Sequence, residues 1–270
     1  MTGRGGTVLR VVLAVVVMLL GDILLIPLLL LDVVTNNTTD AAETAVNTAA
    51  TLTSSLFVLL LTWLLVTRLD GGRLSDLRLR VDRRALAWML AMVVVAAAIA
   101  AATGTVMGLL GIATTSDGLK GVSLPVLAIL ILGRVNAGFL AQGFPEELVW
   151  RGWLFRSLGG TRRAAAVSVI GFTLVHIISN GGQENWIERI LYLAVPFGLA
   201  VAAVVVAQVS GSTWAAVGVH GGSHMAFLVF VAMRVDASHP VAWVVEGTLW
   251  LVVAGVVWFL ARHRAPAPVS

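Results

Sequence analysis

Cysteine is absent from the 270 residues, so the chain can build no disulfide framework, no thiolate metal ligand and no thiol nucleophile. Charge is scarce too, at 12% of residues, against about 25% in a soluble domain. A chain this poor in charge and 59% hydrophobic lacks the polar groups to present a solvated surface all round. What it has instead is at least six apolar stretches of roughly 18 residues or more, the length that crosses ~30 Å of hydrocarbon. The expected fold class is all-α, a polytopic membrane helical bundle.

Hydropathy places eight spans, at about 9–31, 47–67, 85–110, 122–142, 163–180, 189–209, 213–233 and 240–261. The connections between them are short, and no repeat stands out. The expectation is therefore one integral-membrane domain over 1–262, followed by a disordered, proline-rich tail over 263–270. The first run follows Arg4 and Arg10, as the core of a signal peptide follows its basic start. It is longer than the ~7–15 residues of such a core and no A-x-A-like site closes it, so it reads as a retained span.

Arginine sets the expected orientation. Arg68, Arg73, Arg78, Arg80, Arg83 and Arg84 fall in one connection, Arg151, Arg156, Arg162 and Arg163 in another, and Arg262 and Arg264 at the end. The intervening loops carry acids and few basic residues, such as Lys120 or Arg189. The positive-inside bias then puts both termini in the cytoplasm. The net charge of +4 is explained by this topology and calls for no nucleic-acid partner. An alanine- and valine-rich composition in which arginine dominates lysine suggests a GC-rich bacterial source, hence a bacterial plasma membrane. Trp150, Trp153 and Trp214 are expected as interfacial anchors.

Several ionisable residues fall at membrane depth: Asp22, Arg134, Glu146, Glu147, Arg151, His176, His220, His224 and Glu246. Such groups are expensive in hydrocarbon and mark functional positions by default. In "QGFPEELVWRGWLF", residues 142–155, Gly143 and Pro145 interrupt an apolar run, and a new helix or a kink is expected near Pro145. Glu147 and Arg151 are four apart with the acid first, the favourable order for a helical ion pair. Glu146 points about 100° away around the helix. Arg151 would thus neutralise Glu147 and leave Glu146 free to act. The blander reading is an interfacial helix cap with a salt bridge.

"FTLVH" puts Phe172 and His176 on one helical face. The bland reading is a histidine satisfied by a neighbouring helix. "HGGSH" puts His220 and His224 on one face around Gly221, Gly222 and Ser223, which permit close approach of another helix or of a substrate backbone. The i, i+4 spacing can bind metal, but the glutamate of an H-E-x-x-H helix is missing. The bland reading is a small-residue packing seam. Together these motifs bring a glutamate and histidines to separate helices of one bundle. A carboxylate enclosed by apolar residues suits general-base work, and a histidine can orient water or donate to an oxyanion. The combination suits peptide-bond hydrolysis.

"EELVWR" matches E-E-x-x-x-R, "FTLVH" matches F-x-x-x-H, and His220 opens a motif usually written H-x-x-x-N. In this order, over about 142–230, they resemble the CPBP family, the CAAX proteases and bacteriocin-processing enzymes, also called Abi. The resemblance implies an intramembrane endopeptidase acting on a membrane-associated or lipophilic peptide or a lipidated protein. In it Glu146 activates water, His176 positions that water, Glu147 and Arg151 support the site, and His220 with the residue four later stabilises the oxyanion. That later residue is His224, where the family pattern has asparagine. A neutral histidine still donates one hydrogen bond. The change also admits a metal reading, with a divalent ion such as zinc held by Glu146, His176, His220 and His224. Two other readings stand beside the protease: a proton- or ion-coupled transporter using Asp22, Arg134, the glutamates and Glu246, and a non-catalytic scaffold of the same family. Arg134 needs a counter-charge at depth, which Asp22 or Glu246 can supply. The sequence carries no signal for oligomeric state.

Overall fold

The computed structural model describes residues 4–24, 40–112 and 118–263, and these are all helix and connection, with no strand among them. The elements are α1 (Arg4–Ile23), α2 (Ala41–Leu69), α3 (Arg83–Leu109), α4 (Leu124–Ser157), α5 (Arg162–Val175), α6 (Trp186–Ser210), α7 (Thr213–Met233) and α8 (Pro240–His263). Of these, 7 are long and apolar enough to cross a membrane. The exception is α5, expected as a full span over 163–180. It has 14 residues, or ~21 Å of helix, short of the ~30 Å hydrocarbon. It closes in a single 3₁₀ turn, His176–Ile178, before the extended Ser179. The expected tail beyond 263 lies outside the described residues.

The fourth span also departs from expectation. It does not stop near 142 but continues to Ser157 as one helical segment, and the new helix or kink expected near Pro145 takes the form of an irregularity inside it. Two π-helical stretches make this possible, Asn136–Gly143 and Leu148–Leu154, flanking the α-turn Phe144–Glu147. Widened turns of this kind are uncommon and gather at functional sites. Here the cause is Pro145, which has no N–H and whose ring crowds the preceding turn. The Phe144 N–H bonds the Phe139 carbonyl, five residues back, so the next carbonyl, Leu140, would need the N–H that Pro145 lacks. The Ser55 hydroxyl of α2 donates to Leu140 O instead.

That contact belongs to a polar stripe down the buried face of α2: Thr44, Asn47, Thr51, Ser54, Ser55 and Thr62. Thr51 donates to Asn136 of α4, and Ser54 donates to Gly21 O of α1 at 2.8 Å. Other hydroxyls return to their own helix, such as Thr62 to Val58 O at 2.7 Å. Hydroxyls satisfied in this way hold helices together in a medium that supplies no water.

Glycines set the remaining spacing. On α7, a methyl added at Gly222 would lie 2.9 Å from Val93 Cα of α3, and one at Gly221 would lie 2.6 Å from the Phe139 ring of α4. One added at Gly143 would lie 2.9 Å from Gly221 N. Gly198 of α6 and Gly247 of α8 meet backbone to backbone in the same manner. The small-residue seam expected within "HGGSH" is therefore present on two sides of α7, and it draws α4 against the histidine face.

The arginine-rich end of the bundle is tied by loops. Arg10 of α1 pairs with Asp70, whose other oxygen accepts from Trp153 Nε1 at 2.7 Å. Thr213 Oγ1 donates to Leu77 O at 2.6 Å and Trp214 Nε1 to Leu79 O at 2.9 Å. Trp150 and Trp153 are 1% and 2% exposed, so they are core residues and not the lipid-interface anchors expected of them. Trp214 is half-buried and stacks on Phe144.

If Leu140 O depends on Ser55 because of Pro145, the two positions are coupled. Ser55→Ala should lower stability by about 1–3 kcal/mol, the cost of an orphaned buried acceptor. In a Pro145→Ala background, where the N–H returns, the same substitution should cost much less. Thermal unfolding in detergent over the four-member cycle measures this, and additive losses would refute the coupling.

Candidate active site

The α-turn between the two π stretches of α4 places Glu146 and Glu147 side by side, about 100° apart around the axis. Glu147 faces the protein interior and is 1% exposed, and Arg151, one turn later, is 0% exposed. Arg151 Nη1 donates to Glu147 Oε1 at 3.0 Å, the pairing read from their spacing. The same oxygen faces His220 Nδ1 of α7 at 3.1 Å. The Arg151 guanidinium also lies over the Phe172 ring, 4.3 Å from its centroid. A buried guanidinium thus has a carboxylate on one side and an aromatic face on the other, both favourable to a cation.

Phe172 joins several of these groups. Its ring meets Trp150 and His220 edge-on, with centroids 5.9 and 5.7 Å away. Its carbonyl accepts from His176 Nδ1 at 2.7 Å. With the proton held on Nδ1, neutral His176 presents a lone pair at Nε2. That nitrogen stands 3.8 Å from Glu146 Oε2. The separation is too long for a direct hydrogen bond but allows one water to touch both atoms. The shortness of α5 is what puts His176 at a helix end, where its ring reaches this gap.

His220 and His224 stack, with centroids 5.2 Å apart and ring planes at 23°. They differ in surroundings. His220 is 3% exposed and turned to Glu147. His224 lines a cavity of about 630 Å³ together with Glu146, His176 and His220. The structure therefore brings Glu146, Glu147, Arg151, His176, His220 and His224 into one connected cluster.

Asp22, Arg134 and Glu246 line the same cavity. Glu246 accepts from Ser223 Oγ at 2.7 Å, and the Arg134 guanidinium lies 4.2 Å from the Phe227 ring centroid. Ser223, Phe172, Tyr192 and Gln142 are wall residues that the sequence reading did not assign to the site. Two had a signal: Phe172 opens F-x-x-x-H, and Ser223 lies inside "HGGSH". Tyr192 and Gln142 had none, because only the tertiary arrangement turns them to this space.

The metal reading requires Glu146, His176, His220 and His224 to converge on one ion. Among the described residues no three His, Asp or Glu side chains converge as a metal ion requires. His176 Nδ1 and His220 Nδ1 are engaged with Phe172 O and Glu147, which leaves Nε2 of each ring as the nitrogen that could face an ion. As arranged, the set does not fit a tetrahedral site of three or four ligands.

Residues 125–226 match the family model described as Rce1-like, type II CAAX prenyl endopeptidase. The matched segment runs from α4 into α7 and contains all six clustered residues. The resemblance to CAAX-type proteases of the CPBP family is thereby shown over that segment, which is less than half of the chain, in a protein of membrane-spanning helices. No curated protein matches the chain.

Arg151 and Glu147 should depend on each other. Arg151→Met leaves a buried carboxylate without its cation and should cost about 3–5 kcal/mol. Adding Glu147→Gln should recover most of that loss, because no buried charge is then left unpaired. Melting temperatures of the two single variants and the double variant in detergent check this, and a double variant no better than Arg151→Met would refute it.

Proposed function

We propose that the protein is an intramembrane endopeptidase that hydrolyses a peptide bond in a membrane-associated or lipophilic peptide, through a water activated by Glu146. The observation that carries this is the 3.8 Å gap between Glu146 Oε2 and His176 Nε2 on the wall of the 630 Å³ cavity, within the segment that matches the endopeptidase family.

In this reading a water held in the gap directs one hydrogen to Glu146 and the other to the His176 lone pair. Its own lone pair then points to the substrate carbonyl. Attack forms the C–O bond and moves one water proton to Glu146. Collapse of the tetrahedral intermediate breaks the C–N bond, and the Glu146 proton passes to the leaving amine. Glu146 thus returns to its starting state.

The histidines of α7 then have separate tasks. Neutral His220, with its proton on Nδ1 toward Glu147, has only a lone pair at Nε2 and no N–H to offer an oxyanion. It acts as a positioning residue, locking Glu147 and backing the His224 ring. His224 supplies the N–H to the oxyanion, the task that asparagine holds in the family pattern. In this reading no step passes through a metal. Asp22, Arg134 and Glu246 share the cavity with Glu146, and this reading assigns them to the substrate chamber. A bacterial plasma membrane fits the alanine- and valine-rich composition in which arginine dominates lysine, and both termini in the cytoplasm fits the arginine distribution, with α5 and the connection 176–185 together counted as one crossing.

The test is cleavage of a panel of hydrophobic and lipidated peptides by the detergent-purified chain. Glu146→Gln should abolish cleavage. His224→Ala should lower kcat by about 10²–10³, the usual loss for one oxyanion donor, whereas His224→Asn should keep most of it. A chelator should change nothing. Loss on chelation with recovery on adding zinc would refute the metal-free mechanism, and full activity in Glu146→Gln would refute the assignment altogether.

A further inference from the structure

The proposed chemistry leaves the carboxyl group of Glu246 without a task. From α8 it lines the same cavity as Glu146, His176 and His224. Its Oε1 accepts from Ser223 Oγ at 2.7 Å. Ser223 is the neighbour of His224 in α7, so this tether lies one Cα step, ~3.8 Å, from the residue assigned to the oxyanion. Tyr192 of α6 is near enough to both Glu246 and Glu146 to feel the charge of each. The Tyr192 ring is fixed in place: it meets Trp243 of α8 edge-on with centroids 5.5 Å apart, and a methyl at Gly181 would lie 2.4 Å from it. Glu246 is therefore held beside the reacting groups.

Glu246 has no cation beside it. Among the described residues no arginine, lysine or histidine lies within ion-pair distance of its carboxyl group. The pairing of Glu246 with Arg134 expected from the sequence is not formed, and the Arg134 guanidinium lies over the Phe227 ring. A carboxylate accepts about four hydrogen bonds, of which Ser223 supplies one. Holding such a group at membrane depth without a counter-charge is expensive. The described walls repeat the sign, since Asp22, Glu146 and Glu246 stand against Arg134 alone. The rings of Tyr192, Phe227 and Trp243 line the same space, and aromatic faces attract cations.

We infer that the chamber selects peptides with a basic side chain, lysine or arginine, at a residue flanking the bond that is cut, and that Glu246 is the group that binds it. That the occupant is a peptide to be cleaved rests on the proposed function. The sign of the charge it carries rests on Glu246, its tether and the wall acids.

The test uses the full-length, detergent-purified chain and a hydrophobic peptide with lysine, norleucine or glutamate placed in turn on either side of the bond that is cut. Norleucine keeps the lysine stem and removes its charge. At one of the two positions lysine should raise kcat/KM over norleucine about tenfold or more, the usual scale for a charged hydrogen bond, and glutamate should be the poorest. Glu246→Gln should bring the lysine-to-norleucine ratio near one, Glu246→Asp should keep lysine preferred, and Glu246→Lys should favour glutamate. Should the glutamine variant fail to fold, which melting reports, Ser223→Ala frees the carboxyl from its tether and should lower the ratio at least threefold. Cleavage without preference for lysine, or a preference that survives these substitutions, would overturn the inference and leave the proposed function standing. A second arm measures binding of fluorescent forms of the same peptides to Glu146→Gln, which should not cleave them. The lysine peptide should bind at least fivefold tighter than the norleucine peptide, and the added Glu246→Gln should remove the difference. Selective binding with no cleavage by the parent chain would sink the proposed function and support cation recognition, and equal binding would overturn it.

Discussion

A guanidinium and a carboxylate with almost no exposure, one turn apart on a membrane helix, determine much of the surrounding structure. Neither Arg151 nor Glu147 can be solvated where it lies, so each neighbour has to satisfy them. Glu147 shares one oxygen between Arg151 and His220. Arg151 rests on the Phe172 ring. These partners come from α4, α5 and α7, so the ion pair fixes how three helices approach one another. Glu146, next in sequence but turned away from that pair, is left facing the cavity.

The helix carrying them reaches this arrangement by giving up regular α geometry. Pro145 removes one N–H, the rod widens into π turns on both sides, and the stranded Leu140 carbonyl takes a hydroxyl from α2. The close glycine contacts between α4 and α7 complete the approach. A polar stripe on α2, glycines on α7 and a proline in α4 are thus parts of one solution: in hydrocarbon every displaced backbone group must find a partner inside the protein. The two faces of Phe172 show the same economy, since its ring serves Arg151 and its carbonyl sets the tautomer of His176.

Much of the site was legible beforehand. The i, i+4 pairing of Glu147 with Arg151, the outward turn of Glu146 and the small-residue seam of "HGGSH" all follow from the 3.6-residue period, and the pairing holds even though Arg151 lies in the widened stretch Leu148–Leu154. Other parts were not. The length of α5 was overestimated because its apolar run continues past the point where His176 caps its own helix through Phe172 O. Trp150 and Trp153 looked like interface anchors because hydropathy cannot separate an aromatic facing lipid from one packed in the core. His220 and His224 looked equivalent because spacing gives a shared face and says nothing of what stands opposite.

By itself the sequence determined that this is a membrane bundle, which end of it carries the arginines, and which side chains share a helical face. Those follow from composition and local periodicity, which need no knowledge of neighbours. Only the tertiary structure decided that Glu147 would be shared by Arg151 and His220, that His176 would stand across a gap from Glu146, and that Asp22, Arg134 and Glu246 would line the same cavity. Each of these depends on contacts between residues far apart in the chain, formed where a proline opened one helix and glycines let another come close.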